Sequence, residues 1–236
     1  MAAYFTTARL LAAASLILPL AAQAQTNFSL GPQVGLNVST ASYVDDANHT
    51  RARTGFEAGV VANLHLGSIV TLQSGLQYSQ KGYHLTSGEA PNTSNAGQHD
   101  DHFRLNYLTL PFQVLLTPRR DGEGIQFLAG PYLSMLLGGH YERNFTPLNG
   151  TTTRTEGSIT PDNSSESIQE YSSGRLDYGA LAGLGYRYKQ LQLQATYSWG
   201  WPSLAVDYTF RGQRFNNPNY SNRALQVSVA YLFPFR

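Results

Sequence analysis

The stretch Phe28-Ser29-Leu30-Gly31-Pro32-Gln33-Val34-Gly35-Leu36-Asn37-Val38 decides the fold. Its even-numbered residues are all apolar, and its odd-numbered ones are Ser, Gly, Gln, Gly and Asn. Successive side chains of a strand point to opposite faces, so this segregation describes a strand with a different solvent on each side. Pro32 donates no ladder hydrogen bond, and pairing is expected to weaken there.

The pattern returns seven times, over 56–66, 70–81, 107–116, 125–135, 177–188, 191–199 and 225–235. Eight strands place both ends of the sheet on one side, as in bacterial barrels. The connections after the second, fourth and sixth strands are short: Gly67-Ser68, Thr117 to Gly124, and Lys189-Gln190. Those after the first, third, fifth and seventh are long and polar, covering Ser39–Arg53, Thr86–Asp101, Glu142–Gly174 and Trp201–Asn222. Short turns at one end and long loops at the other are the outer-membrane arrangement. The expected fold is all-β: an eight-stranded antiparallel up-and-down transmembrane β-barrel, with short periplasmic turns and long extracellular loops.

Composition agrees. Charged residues make up 13% of the 236, about half the share usual in soluble domains. A net charge of +1 supplies no basic surface for nucleic acid. There is no cysteine, which excludes disulfides, thiolate chemistry and Cys-bound metal. At the start, Arg9 precedes the apolar run Leu10 to Leu20, followed by Ala22-Gln23-Ala24. That is the form of a secretory signal peptide, too short for a transmembrane helix. Residues 1–24 are expected to be cleaved before Gln25, leaving a single barrel domain over 25–236.

Three features orient the faces. The polar face is mostly Gly, Ser, Gln, Thr and Asn, whereas a soluble exterior would carry many more Lys and Glu. The apolar face holds no charge, as lipid requires. Aromatics also gather at the strand ends. Phe28, Phe127, Tyr186, Tyr188, Phe233 and Phe235 fall near the short-turn rim; Phe56, Tyr78, Tyr178, Tyr197 and Trp199 fall near the long-loop rim. Two aromatic belts around an aliphatic band mark membrane interfaces. The polar face then lines a narrow lumen, where Glu57, Lys81, Asp177 and Arg187 are expected to pair with one another or with Gln and Tyr side chains.

Several segments carry a family likeness. Tyr107-Leu108-Thr109-Leu110-Pro111-Phe112, Phe127-Leu128-Ala129-Gly130-Pro131-Tyr132, and Asp177-Tyr178-Gly179 with Gly183-Leu184-Gly185-Tyr186 resemble the PorT-like outer-membrane β-barrel family, common in Bacteroidota. Tyr231-Leu232-Phe233-Pro234-Phe235 resembles the terminal strand by which such barrels are recognised for assembly, here followed by Arg236. The resemblance implies a barrel of the bacterial outer membrane, exported by the Sec route, and no single activity.

No catalytic set, cofactor motif or metal site stands out. His99-Asp100-Asp101-His102 suggests a metal site only weakly, and a solvated loop is the plainer reading. The expected role is therefore a non-enzymatic, monomeric surface element in outer-membrane lipid, meeting a protein or glycan partner through its loops. Trp201, Tyr208, Phe210, Phe215 and Tyr220 are candidate anchors. The alternatives are a lipid-acting enzyme and a component of a secretion system. The leader reading has a direct check: intact-mass or N-terminal sequencing of protein from outer membranes is expected to begin at Gln25, and a mature chain retaining Met1 refutes it.

Overall fold

The computed structural model describes residues 27–43, 49–88, 97–119, 122–147, 150–161, 171–210, 213–215 and 219–235. The signal segment and its cleavage point lie outside the described residues, as do 44–48, 89–96 and 162–170 of the long connections and the side chains of Tyr208, Phe210 and Phe215.

Eight antiparallel strands form a ring: β1 (Asn27–Tyr43), β2 (His49–Leu66), β3 (Val70–Gly88), β4 (Gly97–Leu116), β5 (Gly124–Pro147), β6 (Leu176–Tyr188), β7 (Leu191–Gly200) and β8 (Tyr220–Tyr231). Each pairs with its sequence neighbours, and β8 returns to β1, with Val34 opposite Val229 and Tyr43 opposite Tyr220. Phe233–Phe235 prolongs β8 along Phe28–Leu30. Closure satisfies the backbone groups of every stave, a necessity in lipid, where no water replaces a missing ladder partner. At Pro111 and Pro131 the ladders lose register pairs, because proline has no N–H to donate.

The short turns are tight. Gly67 turns from β2 into β3 with φ +79°, a left-handed conformation that glycine adopts without a Cβ clash. Between β6 and β7 that conformation falls to Lys189, at φ 53°. Its amide is held by the Glu123 carboxylate at 3.2 Å, and Arg187 Nε donates to its carbonyl at 3.2 Å.

The wall is apolar outside and polar inside. Leu36, Val34, Ile125, Leu184 and Leu193 are exposed on the outer face, while Asn63, Gln126, Ser134 and Asp177 are fully buried within. At the short-turn rim, Phe28 meets Phe235 at 5.9 Å and Tyr231 meets Phe233 at 5.0 Å. At the other rim, Phe56 lies 5.6 Å from Tyr78, and Tyr197 lies 4.7 Å from Trp199.

The ladders run further than the sequence pattern suggests. A tilted span takes about 9–11 residues, yet β3, β4 and β5 have 19, 20 and 24. Much of what reads as polar loop is strand. The reason is a change of solvent along each stave. In β4, Leu108, Leu110, Phe112, Val114 and Leu116 face out, but Phe103, Leu105 and Tyr107 face in, with Arg104 and Asn106 outside. On β4 inward and outward positions keep their parity while their polarity inverts; β2 and β5 each take an extra residue near this height. Below the inversion the outer solvent is lipid, and above it the outer solvent is water and the interior is an apolar core. Strand Thr153–Pro161 adds to β5 in this upper region, so β2–β5 and this strand form a sheet standing above one side of the ring.

Orientation is testable at adjacent positions of β7. Leu193 is 51% exposed and Gln192 1%. In the reconstituted barrel, a spin label at Leu193 is expected to be quenched by lipid-soluble oxygen and a label at Gln192 shielded from it. Leu110→Arg or Val227→Arg should cost about 2–4 kcal/mol near the midplane. Water-soluble quenchers reaching Leu193 while oxygen fails would mean that the faces are reversed.

Candidate functional site

The lumen is filled in layers. The layer toward the short turns is a glutamine mesh. Gln73 and Gln194 exchange reciprocal amide hydrogen bonds at 3.0 Å. Gln192 donates to Gln73 at 3.1 Å and to Gln126 at 2.9 Å, and accepts from Asn63 at 3.0 Å. Gln77 donates to Gln33, which donates to Ser228. A primary amide carries both donors and acceptors, so the mesh bonds largely within itself without a net charge, leaving Asn63 Oδ1 and Gln113 Oε1 without a protein partner.

The middle layer holds the charges. Lys81 Nζ lies 3.6 Å from Asp177 Oδ2, both essentially fully buried. Asp177 also accepts from Asn222 at 2.9 Å and from the Tyr132 hydroxyl at 3.2 Å. The Lys81 ammonium stands 5.1 Å from the Tyr132 ring and 5.3 Å from Tyr107. Glu57 accepts from Gln226 at 2.8 Å. Beside Glu57 and Lys81 the remaining cavity is about 20 Å³, room for about one water. The buried pair and its hydrogen bonds cross-link staves β3, β5, β6 and β8.

Above them, apolar side chains close the mouth. Tyr83 stacks on Phe103 at 4.7 Å, Tyr43 and Tyr220 pack beside them, and Leu105, Leu136, Tyr141 and Ile159 complete the cluster. Leu204, from the connection after β7, is inserted with no exposed surface. Its amide bonds to Tyr220 O, and its carbonyl accepts from Gly174 N, both at 2.9 Å.

Of the charged residues read from the sequence, the structure brings Lys81, Asp177 and Glu57 to one level. Arg187 is elsewhere, at the short-turn mouth, 2.7 Å from His65 Nε2, whose other nitrogen meets Thr71. There Thr71 holds the Nδ1 position that a carboxylate would need in order to orient a catalytic His, and a guanidinium holds the Nε2 that would face a nucleophile. The His99–His102 quartet is split by strand alternation. Asp101 turns inward to Arg143 at 3.2 Å, and His99 lies against Phe145, while His102 faces out to Asp100 at 3.3 Å and to the His84 ring at 4.1 Å. Among the described residues, no group of three or more His, Asp and Glu is placed to hold a metal ion. Sequence reading missed Asn222, Tyr132 and the inserted Leu204. Leu204 carried no signal, since one Leu in a polar connection has no period.

A closed antiparallel ring with an apolar band, two aromatic belts and a polar interior is an integral outer-membrane β-barrel. Residues 22–204 match the model of the outer membrane protein beta-barrel domain, and the chain belongs to that family. Among solved structures it is similar to Ail of Yersinia pestis, crystallised with the heparin analogue sucrose octasulfate: 12% identity over 87% of this chain and 99% of that one, TM-score 0.39. Neisserial surface protein A matches at 14% identity over 87% and 97%, TM-score 0.43. OprG of Pseudomonas aeruginosa matches at 6% over 88% and 96%, TM-score 0.38. No curated protein sequence matches the chain.

The charge layer predicts a coupled pair. Lys81→Met leaves Asp177 buried beside two neutral donors and is expected to cost about 3 kcal/mol. Adding Asp177→Asn should recover most of that loss. Urea unfolding of the barrel in lipid, run as a double-mutant cycle, measures it; two additive penalties would refute the coupling.

Proposed function

We propose that the protein is a non-enzymatic surface element of the outer membrane. Its barrel anchors the upper sheet, which contacts a protein or glycan partner. The observation that carries this reading is the contrast between the two ends of the staves. The lumen is packed with Gln, Lys–Asp and aromatic layers. The ladders nevertheless continue well past the outer aromatic belt as an ordered sheet. A chain that only had to cross the membrane has no need of those extra turns of strand. Monomeric assembly, Sec export with cleavage before Gln25, and a place among PorT-like members of the family belong to the same proposal. They are supported by the leader, the closed ring and the quoted motifs.

Two measurements test it. In planar bilayers the purified barrel is expected to show at most rare, small openings; large steady conductance refutes the sealed lumen. For the contact role, residues 144–154 are replaced by Asn-Gly. This joins the paired Arg143 and Thr155 by a two-residue turn and leaves Tyr141 and Ile159 in place. Cells carrying this variant are expected to insert it normally and to adhere less to protein- or glycan-coated surfaces. Unchanged adhesion, with a lipid A acyl pattern that depends on the gene, would favour a lipid-acting enzyme instead.

A further inference from the structure

The outer face of the upper sheet is unlike the band below it. Arg53 sits in the bulge of β2 between Ala52 and Glu57, and Arg104 is opposite Gly82 on β3. Lys81 and Tyr83 point inward, so Gly82 and its row face out. A Cβ at Gly82 would come within 2.9 Å of Arg53 Cδ and 2.1 Å of Phe103 O. Arg53 therefore lies across the glycine toward Arg104. One residue pair further up, Arg51 is opposite His84, and His84 is opposite His102.

The described acids of this face already have partners. Glu142 and Glu156 are taken by Arg154 at 3.0 and 2.7 Å, Glu156 also meets His140 at 3.7 Å, and Asp100 meets His102. Among the described residues, no carboxylate lies within ion-pair distance of Arg51, Arg53 or Arg104. Two neighbouring guanidiniums without an anion repel one another. The effect registers on Arg53, whose pKa is lowered by burial and by Arg104, against the pull of Glu142. His84 is likewise held low, by burial first, then by His102 and Arg53, with Asp100 opposing and Arg51 adding.

Height along the wall identifies the anion. Gly82 is four residues above Tyr78, and Arg104 four above Leu108, the last apolar outward positions of their staves. Four residues at about 3.3 Å each, tilted by about 40°, rise roughly 10 Å. Aromatic belts sit at headgroup level, and an Arg side chain reaches back toward the interface along its own stem. Beneath lie Leu36 opposite Phe56, the Phe56 ring 5.6 Å from Tyr78, and Tyr78 opposite Leu108, an apolar track wide enough for an acyl chain.

We propose that Arg53 and Arg104, flanking Gly82, bind a phosphate group on the headgroup of an outer-leaflet lipid whose acyl chains lie on the Phe56–Tyr78–Leu108 track. A guanidinium presents two parallel donors to phosphate oxygens, so two of them on adjacent strands form a clamp. Arg51 and His84 extend the clamp away from the membrane, toward a second anionic group on the same headgroup.

The inference rests on the membrane orientation and not on the contact role of the upper sheet, so either fails without the other. The test uses the full mature barrel in neutral phosphatidylcholine nanodiscs containing a small fraction of diphosphorylated lipid A, with native mass spectrometry counting the lipids retained. The wild type is expected to retain diphosphorylated lipid A about tenfold better than lipid A stripped of its phosphates. Arg53→Gln with Arg104→Gln should abolish that preference, and Arg154→Gln, whose arginine is already paired on the same face, should keep it. Heat-modifiable gel mobility verifies that each variant is folded. Equal retention of both lipids by the wild type overturns the proposal without recourse to any variant. So does a preference that survives in the double variant. Displacement of the lipid by inorganic phosphate or a sulfated glycan at the same concentration would also overturn it, because the site would then be one for soluble anions.

Discussion

The narrowness of an eight-stranded ring governs everything inside it. The lumen is just wide enough for side chains to fill, so polar residues placed there have only one another as partners. Each unmade hydrogen bond costs about 1–3 kcal/mol. Neutral amides meet that demand best, and the reciprocal Gln73–Gln194 pair with Gln192 bridging to Gln126 is the result. Charge enters as the Lys81–Asp177 pair, whose carboxylate also accepts from Asn222 and Tyr132, while Glu57 rests on the neutral amide of Gln226. A filled lumen follows from the strand count together with this polar inventory.

The same constraint ends abruptly at the membrane surface. Above it water reaches the outer face, and the sheet stays ordered only if its inner face finds an apolar partner. The Tyr83–Phe103 stack provides one side, and Tyr220 and Leu204, arriving from β8 and from the connection before it, provide the other. The plug is therefore the core of a small domain built on the rim of the barrel, and sealing of the mouth is a by-product of that packing.

Much of the wall was legible in the sequence, because lipid and lumen impose opposite polarities on alternate residues, and the uncharged polar face and the aromatic strand ends separate that alternation from a soluble barrel's. The eight staves, the short turns and the aromatic belts all follow from that. The charged residues were legible as inward, but not as a set. Alternation gives the face and not the height, so Arg187 reads like Lys81 although it lies at the opposite mouth with His65. Register between distant strands decides height, and no local pattern in Lys81, Asp177 or Asn222 reveals that they meet. The extent of the strands is hidden for a different reason. The outward apolar residues stop at Asn106 and Gln80 although the ladder continues.

That disappearance carries information of its own. In the run Phe103-Arg104-Leu105-Asn106-Tyr107-Leu108-Thr109-Leu110, the apolar residues stand at odd positions, then at two adjacent positions, then at even ones. A bulge is needed to turn a backbone over. The β3–β4 register passes through Tyr107 opposite Ser79 and Leu108 opposite Tyr78 without a shift. The β4–β5 register does shift beside Asn106 and Tyr107, but its extra residue, Leu137, is on β5; β4 keeps its alternation, so the slip in its sequence belongs to the solvent. It marks the height at which the outside changes from hydrocarbon to water and the inside from glutamines to aromatics. Read as a phase slip, the adjacent pair Tyr107-Leu108 locates the membrane surface on this stave from sequence alone. It also explains why Arg104, with no ion-pair partner among the described residues, stands where it does, on the first stretch of strand whose outer face is wet.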